Sequence, residues 1–170
     1  MLIANYGLFW KIEDVFWGRP NNSGALYGYR RNIKEVDFSQ QIGIYVLYAD
    51  YKIVYIGQTG SNKQRLFNRL KQHREDHLSG RWNQFSWFGL KRVKNNHELS
   101  KDKISANTDT EGALNHIEAV LIYAAEPPLN RQGGIWRRET KLFYQLRDKK
   151  LGPPVNEMVE KIYKDREKKK

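Results

Sequence analysis

Apolar and polar positions alternate in two short runs, 42–48 and 53–57, separated by the polar Asp50-Tyr51-Lys52. In the first, Ile44, Val46 and Tyr48 alternate with Tyr45 and Leu47; in the second, Val54 and Ile56 alternate with Ile53 and Tyr55. Period-two runs of this length predict two strands joined as a hairpin. Strand side chains point to opposite faces in turn, so register decides which of them meet. If Ile44, Val46, Val54 and Ile56 share the core face, Tyr45 and Tyr55 share the opposite one. That arrangement needs an odd number of loop residues, which Asp50-Tyr51-Lys52 supplies. A two-residue turn at Asp50-Tyr51 would split the tyrosines.

Beyond a loop at 58–62 the period becomes helical over 63–77, with Leu66, Phe67 and Leu70 apolar and Ser61 or Asn62 placed to cap. Arg65, Arg69 and His73 recur every four residues and so form one stripe. Residues 84–93, with Phe85, Trp87 and Phe88, read as a third strand, and 94–109 as an exposed loop. Thr108-Asp109-Thr110-Glu111 fits a capping box that opens a helix to about Ala125, where Pro127-Pro128 stops it. Two more helices are expected over 135–149 and 155–166, on either side of Gly152-Pro153-Pro154. Residues 1–40 are rich in aromatics and predict one or two irregular strands packed against the main domain.

Charge narrows the partner. Thirty Lys and Arg face nineteen Asp and Glu, a net charge of +11. Residues 58–94 hold nine basic and two acidic residues, and 134–170 hold twelve and six. Two basic segments around a near-neutral scaffold point to a polyanion, and the pattern resembles a binding surface more than uniform solvation. There is no cysteine, which excludes disulfides, thiolate zinc sites and a thiol nucleophile. No apolar run approaches the roughly 20 residues that span a bilayer, and the N-terminus has no signal-peptide layout. The expectation is a soluble protein of the cytoplasm.

Glu118 is the most informative single residue. It sits within the expected apolar stripe of Leu114, Ile117, Leu121 and Ala125. A carboxylate there must be paired, protonated or bound to a cation. An arginine partner and a metal are comparable readings. His73 and His77 stand four apart, as zinc-binding pairs do, but no third ligand is evident. His116 precedes Glu118 by two and reads as structural. Trp82, Phe85, Trp87 and Phe88 interleave with Arg81, Lys91 and Arg92; they could stack bases, although aromatic strand residues are more often core.

Gly43-Ile44-Tyr45 and Tyr55-Ile56-Gly57 together resemble the signature of the GIY-YIG nuclease superfamily. Arg69-Leu70-Lys71-Gln72-His73 resembles the family's Arg, three residues, His; Glu118 and then Asn130, in Pro127-Pro128-Leu129-Asn130, follow in the family's order. The resemblance covers about residues 41–134, leaving 1–40 and 135–170 as extensions. It implies an α/β (α+β) fold in which a small three-stranded antiparallel sheet is flanked by helices; the C-terminal extension reads as basic and helical from its own sequence. It also implies a metal-dependent endonuclease hydrolysing phosphodiesters, of DNA in preference to RNA, in restriction, antiviral defence or repair. Mg²⁺ or Mn²⁺ would be held by Glu118 and water, and Arg69 would neutralise the phosphoryl group. Tyr45 would take the proton of the attacking water, as a phenolate shared with Tyr55 or His73. A free tyrosine has a pKa near 10, so cations must lower it. Arg65 and Asn130 would contact the strand, with Arg81, Lys91 and Arg92. Lys71 and Arg74 read first as helix-surface charges that the same strand would meet. The alternatives are a non-catalytic nucleic-acid-binding module and a cutting subunit that works with a protein partner or as a homodimer.

Overall fold

The computed structural model describes residues 2–19, 22–60, 64–101, 110–130, 132–136 and 138–147, together with Met158. Among these, the expected hairpin forms as β6 (Gly43–Ala49) and β7 (Lys52–Thr59). Ala49 pairs with Lys52, so the turn has two residues, Asp50 and Tyr51, both with positive φ (49° and 67°). Such turns match the twist of the strands they join. Asn83 braces this one, accepting from the Asp50 N–H at 3.0 Å and donating to its carboxylate at 2.7 Å. The parity is restored elsewhere. Tyr48 pairs with Ile53 but Leu47 pairs with Tyr55, leaving Val54 as a bulge. The extra residue returns Tyr45 and Tyr55 to one face.

The expected small three-stranded sheet flanked by helices is not what forms. The fold is mixed α+β, with ten strands in three sheets and two helices among the described residues. The largest sheet runs β7-β6-β8-β1-β9, where β8 is Gln84–Gly89, β1 is Asn5–Lys11 and β9 is Lys141–Leu142. A second sheet joins β10 (Tyr144–Gln145), β4 (Tyr27–Arg30) and β5 (Ile33–Asp37), and β2 (Phe16–Arg19) pairs with β3 (Asn22–Ala25) as a hairpin. Thus the N-terminal segment contributes a strand to the interior of the main sheet. Its alternation is hidden by a bulge: Gly7 pairs with Trp87 and Trp10 with Phe85, while Phe9 takes a left-handed φ of 50°. Where a helix was expected from 135, the chain instead bonds to β1. The Lys141 and Phe143 N–H groups donate to the carbonyls of Ala4 and Tyr6 at 3.0 and 2.8 Å. Long-range pairing overrides local helix propensity here. Apart from Met158, the helix expected over 155–166 lies outside the described residues.

The main sheet is covered on both faces except toward its β7 edge, where Ile44, Val54 and Ile56, expected on a core face, are exposed. On one face, Tyr45, Leu47, Phe85, Trp87 and Trp10 pack against α1 (Leu66–His73). On the other, Val46, Tyr48, Phe88 and Tyr6 pack against α2 (Thr110–Ala125). α1 starts later than the sequence suggests. Its opening N–H groups, of Leu66 and Phe67, donate to the carbonyls of Gln41 and Ser39, so loop backbone replaces a side-chain cap. The capping Thr108 expected for α2 lies outside the described residues. α2 packs with Gly112, His116, Ala119 and Ala124 buried and with Val120 and Tyr123 against the core. Leu114, Ile117 and Leu121 are 61, 51 and 60 % exposed. The apolar stripe read from the sequence is therefore α2's outer face.

Candidate active site

The bulge and the α1 register bring four of the expected residues together. Tyr45 is fully buried, and its hydroxyl lies 2.7 Å from Nε2 of the buried His73. The Tyr45 and Tyr55 rings are 6.2 Å apart, and Tyr55 lies 4.9 Å from the His73 ring. Arg69, one helical turn before His73, faces both phenols. Its Nη1 donates to Gln72 Oε1 at 2.6 Å. Gly57, opposite Tyr45 across the hairpin, leaves room for this packing: a Cβ there would lie 2.3 Å from the Tyr45 oxygen.

One member of the cluster was missed from the sequence. His73 Nδ1 lies 2.7 Å from Asp76 Oδ2. The signal was present in the three-residue spacing, which places neighbours on one side of a helix end. Desolvation works against the Asp76 charge, but the Leu78 N–H, the His73 ring and the charges of His73 and His77 together hold its pKa below the usual value. An ionised carboxylate only accepts hydrogen bonds, so Nδ1 carries the proton. In the neutral ring Nε2 is then the acceptor, and Tyr45 donates to it.

Tyr45 itself departs from expectation. Burial raises its pKa to about 12, although Arg69 pulls it down. It is a neutral phenol at physiological pH, not a standing phenolate. Arg69 resists deprotonation: desolvation opposes its charge, but Tyr45 and then Tyr55 more than compensate.

Comparison with known proteins adds no constraint: no protein-family model matches the chain, and no curated protein or solved structure does.

Glu118 lies elsewhere. It is exposed on the outer face of α2, across the sheet from Tyr45, and makes no hydrogen bond or ion pair with the described residues. It borders a cavity of about 460 Å³ with Asn130, among Leu114, Ile117, Leu121 and Pro127. One carboxylate and one amide suit a hard cation that keeps most of its water. They do not make a full protein cage, and among the described residues no three His, Cys, Asp or Glu side chains cluster.

The cationic candidates scatter. Arg65 is the N-cap of α1, Lys71 and Arg74 lie on its exposed side, and Arg81 is exposed. Arg92 borders a different cavity with Arg30, Lys94 and Lys141. Lys91 is buried, and its backbone N–H and carbonyl bond to Gln41, so it is not at the surface where a strand would meet it. Trp82, Phe85, Trp87 and Phe88 are core. His77 is exposed, apart from the His73 cluster's interior. His116 is buried, where Nδ1 accepts from the Ile3 N–H. No helix among the described residues is long and apolar enough to cross a membrane.

Proposed function

We propose that the chain hydrolyses nucleic-acid phosphodiesters, DNA in preference to RNA, in the manner of the GIY-YIG nucleases whose signature it resembles. The observation that carries this reading is the Tyr45 hydroxyl, bonded to a His73 ring that Asp76 orients and faced by Arg69. An aromatic packed only for stability has no need of an imidazole–carboxylate pair on its polar atom. Arg69 and Tyr55, partly exposed, are the groups a substrate meets first. The Arg69 fork would grip the phosphoryl oxygens and offset the charge that grows on them. As water attacks phosphorus, its proton passes to the Tyr45 oxygen while the Tyr45 proton moves to His73 Nε2. Asp76 then holds the imidazolium through Nδ1–H. The phosphorus–oxygen bond to the leaving strand breaks, and the departing oxygen takes a proton from solvent. Tyr45 never stands as a free phenolate, which accords with its raised pKa.

Mg²⁺ or Mn²⁺ belongs to the proposal. As a Lewis acid the ion would polarise a phosphate oxygen, but Glu118 and Asn130 lie across the sheet from Tyr45 and are not placed to hold it at the phosphate that Arg69 grips. A second reading, a non-catalytic nucleic-acid-binding module, is favoured by one observation: Tyr45 has no exposed surface. Incubating the protein with supercoiled plasmid and Mg²⁺, Mn²⁺ or EDTA separates the two. Metal-dependent nicking or linearisation supports hydrolysis; binding without strand breaks in every condition supports the module.

A further inference from the structure

The β2–β3 hairpin stands beside α1 and encloses with it a groove of about 870 Å³. Nothing in the sequence assigned a role to this hairpin. The groove has three cations on its walls: Arg19 from the hairpin, and Lys71 and Arg74 from α1. A single carboxylate, Asp37, shares the lining. Its Oδ1 already accepts from the backbone N–H groups of Leu26 and Ser39, at 3.2 and 2.8 Å. Successive helical residues turn by about 100°, so Lys71 and Arg74 lie on the flank of α1 away from Arg69. The groove is thus separate from the tyrosine cluster but shares its helix.

Arg74 is not a loose surface charge. Its guanidinium sits 4.4 Å from the centre of the Trp17 ring, which also stacks on Phe67 at 5.7 Å and meets Trp82 edge-on at 6.4 Å. This cation–π contact fixes the guanidinium at the groove wall before any ligand arrives. The hairpin is itself seated by close packing: a Cβ on Gly24 would lie 2.2 Å from Phe67 Cζ. Both ring contacts therefore tie the hairpin to the helix at the point where the cations converge. Trp17 is occupied by these contacts, so the groove reads charge rather than stacking bases.

We propose that this groove binds the sugar–phosphate backbone of a nucleic-acid strand, with Arg19, Lys71 and Arg74 on successive phosphates. The inference rests on the nuclease reading for its ligand class, and its test is independent of cleavage. Fluorescence anisotropy with a labelled single-stranded oligonucleotide, in EDTA and over a range of salt, reads the groove directly. Each lost phosphate contact lowers the slope of log K against log salt by about 0.7 for a single strand. Arg19→Ala, Lys71→Ala and Arg74→Ala together are expected to weaken binding at least about tenfold and to lower the slope by about two. Ser23→Glu, which puts an anion on the exposed wall, is expected to weaken binding comparably. Lys101→Ala, an exposed lysine outside the groove, is expected to bind as wild type. Melting temperatures confirm that each variant is folded. Wild-type affinity and slope in both the triple variant and Ser23→Glu overturn the groove while leaving the nuclease reading intact. A protein that binds through the groove but never cuts overturns the nuclease reading and leaves the groove.

Discussion

The Tyr45 hydroxyl occupies the space that a side chain on residue 57 would fill, since a Cβ on Gly57 would meet that oxygen at 2.3 Å and its ring carbon at 2.4 Å. The second tripeptide therefore ends in glycine for the sake of the first tripeptide's tyrosine. Gly57→Ala must push Tyr45 off His73 or bend the hairpin. Overpacking of this kind costs about 1–3 kcal/mol. Thermal melts are expected to show that loss, together with a cleavage defect larger than the lost stability explains.

Arg69→Ala is expected to slow cleavage by about 10²–10³, with little change in affinity measured in EDTA. Arg65→Ala, at the helix's first turn and bonded to the Gln64 carbonyl, is expected to weaken binding and leave the cleavage step near wild type. Single-turnover rates beside anisotropy titrations separate the two effects. An equal fall in rate for both would place the phosphoryl contact wrongly.

Asp76 gives a dependence on acid. Its pKa is held below the usual carboxylate value, so it contributes stability that is fully present above the unfolded carboxyl pKa, near 3.9. That contribution disappears as pH falls through the lower, folded value. The difference in melting temperature between wild type and Asp76→Asn is therefore expected to shrink as pH falls below about 4. A constant difference down to pH 2 would contradict a charged Asp76 beside His73.

Glu118→Gln is expected to leave the melting temperature of the metal-free protein unchanged, because the carboxylate is exposed and has no partner among the described residues. Surface changes of this kind fall within about 0.5 kcal/mol. Because Glu118 lies across the sheet from Tyr45, the Mg²⁺ concentration for half-maximal cleavage is expected to stay at the wild-type value. A rise of at least about tenfold would show that Glu118 holds the ion.

The tyrosine cluster was legible in the sequence because its determinants are local. Two strands, one helix and the four-residue spacing of Arg69 and His73 suffice to assemble it. Even there the route differed: a two-residue turn with a bulge at Val54 set the parity that a three-residue loop was expected to set. The wider fold was not legible because it depends on distant pairing. β1 joins β8 through a bulge at Phe9 that breaks its alternation. Residues 141–145 became strand through bonds to residues more than a hundred positions earlier. α2 misled because Gly112, His116 and alanines supply its buried positions, with Val120 and Tyr123 beside them, while Leu114, Ile117 and Leu121, which marked a core face, are on the outside. Glu118 consequently lost the burial that made it the leading candidate, and Asp76 gained a role that its charge alone did not advertise.

The most direct test is the single-turnover cleavage rate of Tyr45→Phe with Mg²⁺, on a substrate that the wild-type protein cuts. The change removes one oxygen and leaves His73 Nε2 without its donor, so a stability loss of about 1–3 kcal/mol is expected. A melting curve in the same buffer shows whether the variant is folded. The variant is expected to be folded, to bind nucleic acid as wild type and to cleave at least about 100-fold more slowly. Cleavage by the folded variant at the wild-type rate would contradict the claim that the Tyr45 hydroxyl carries the chemistry.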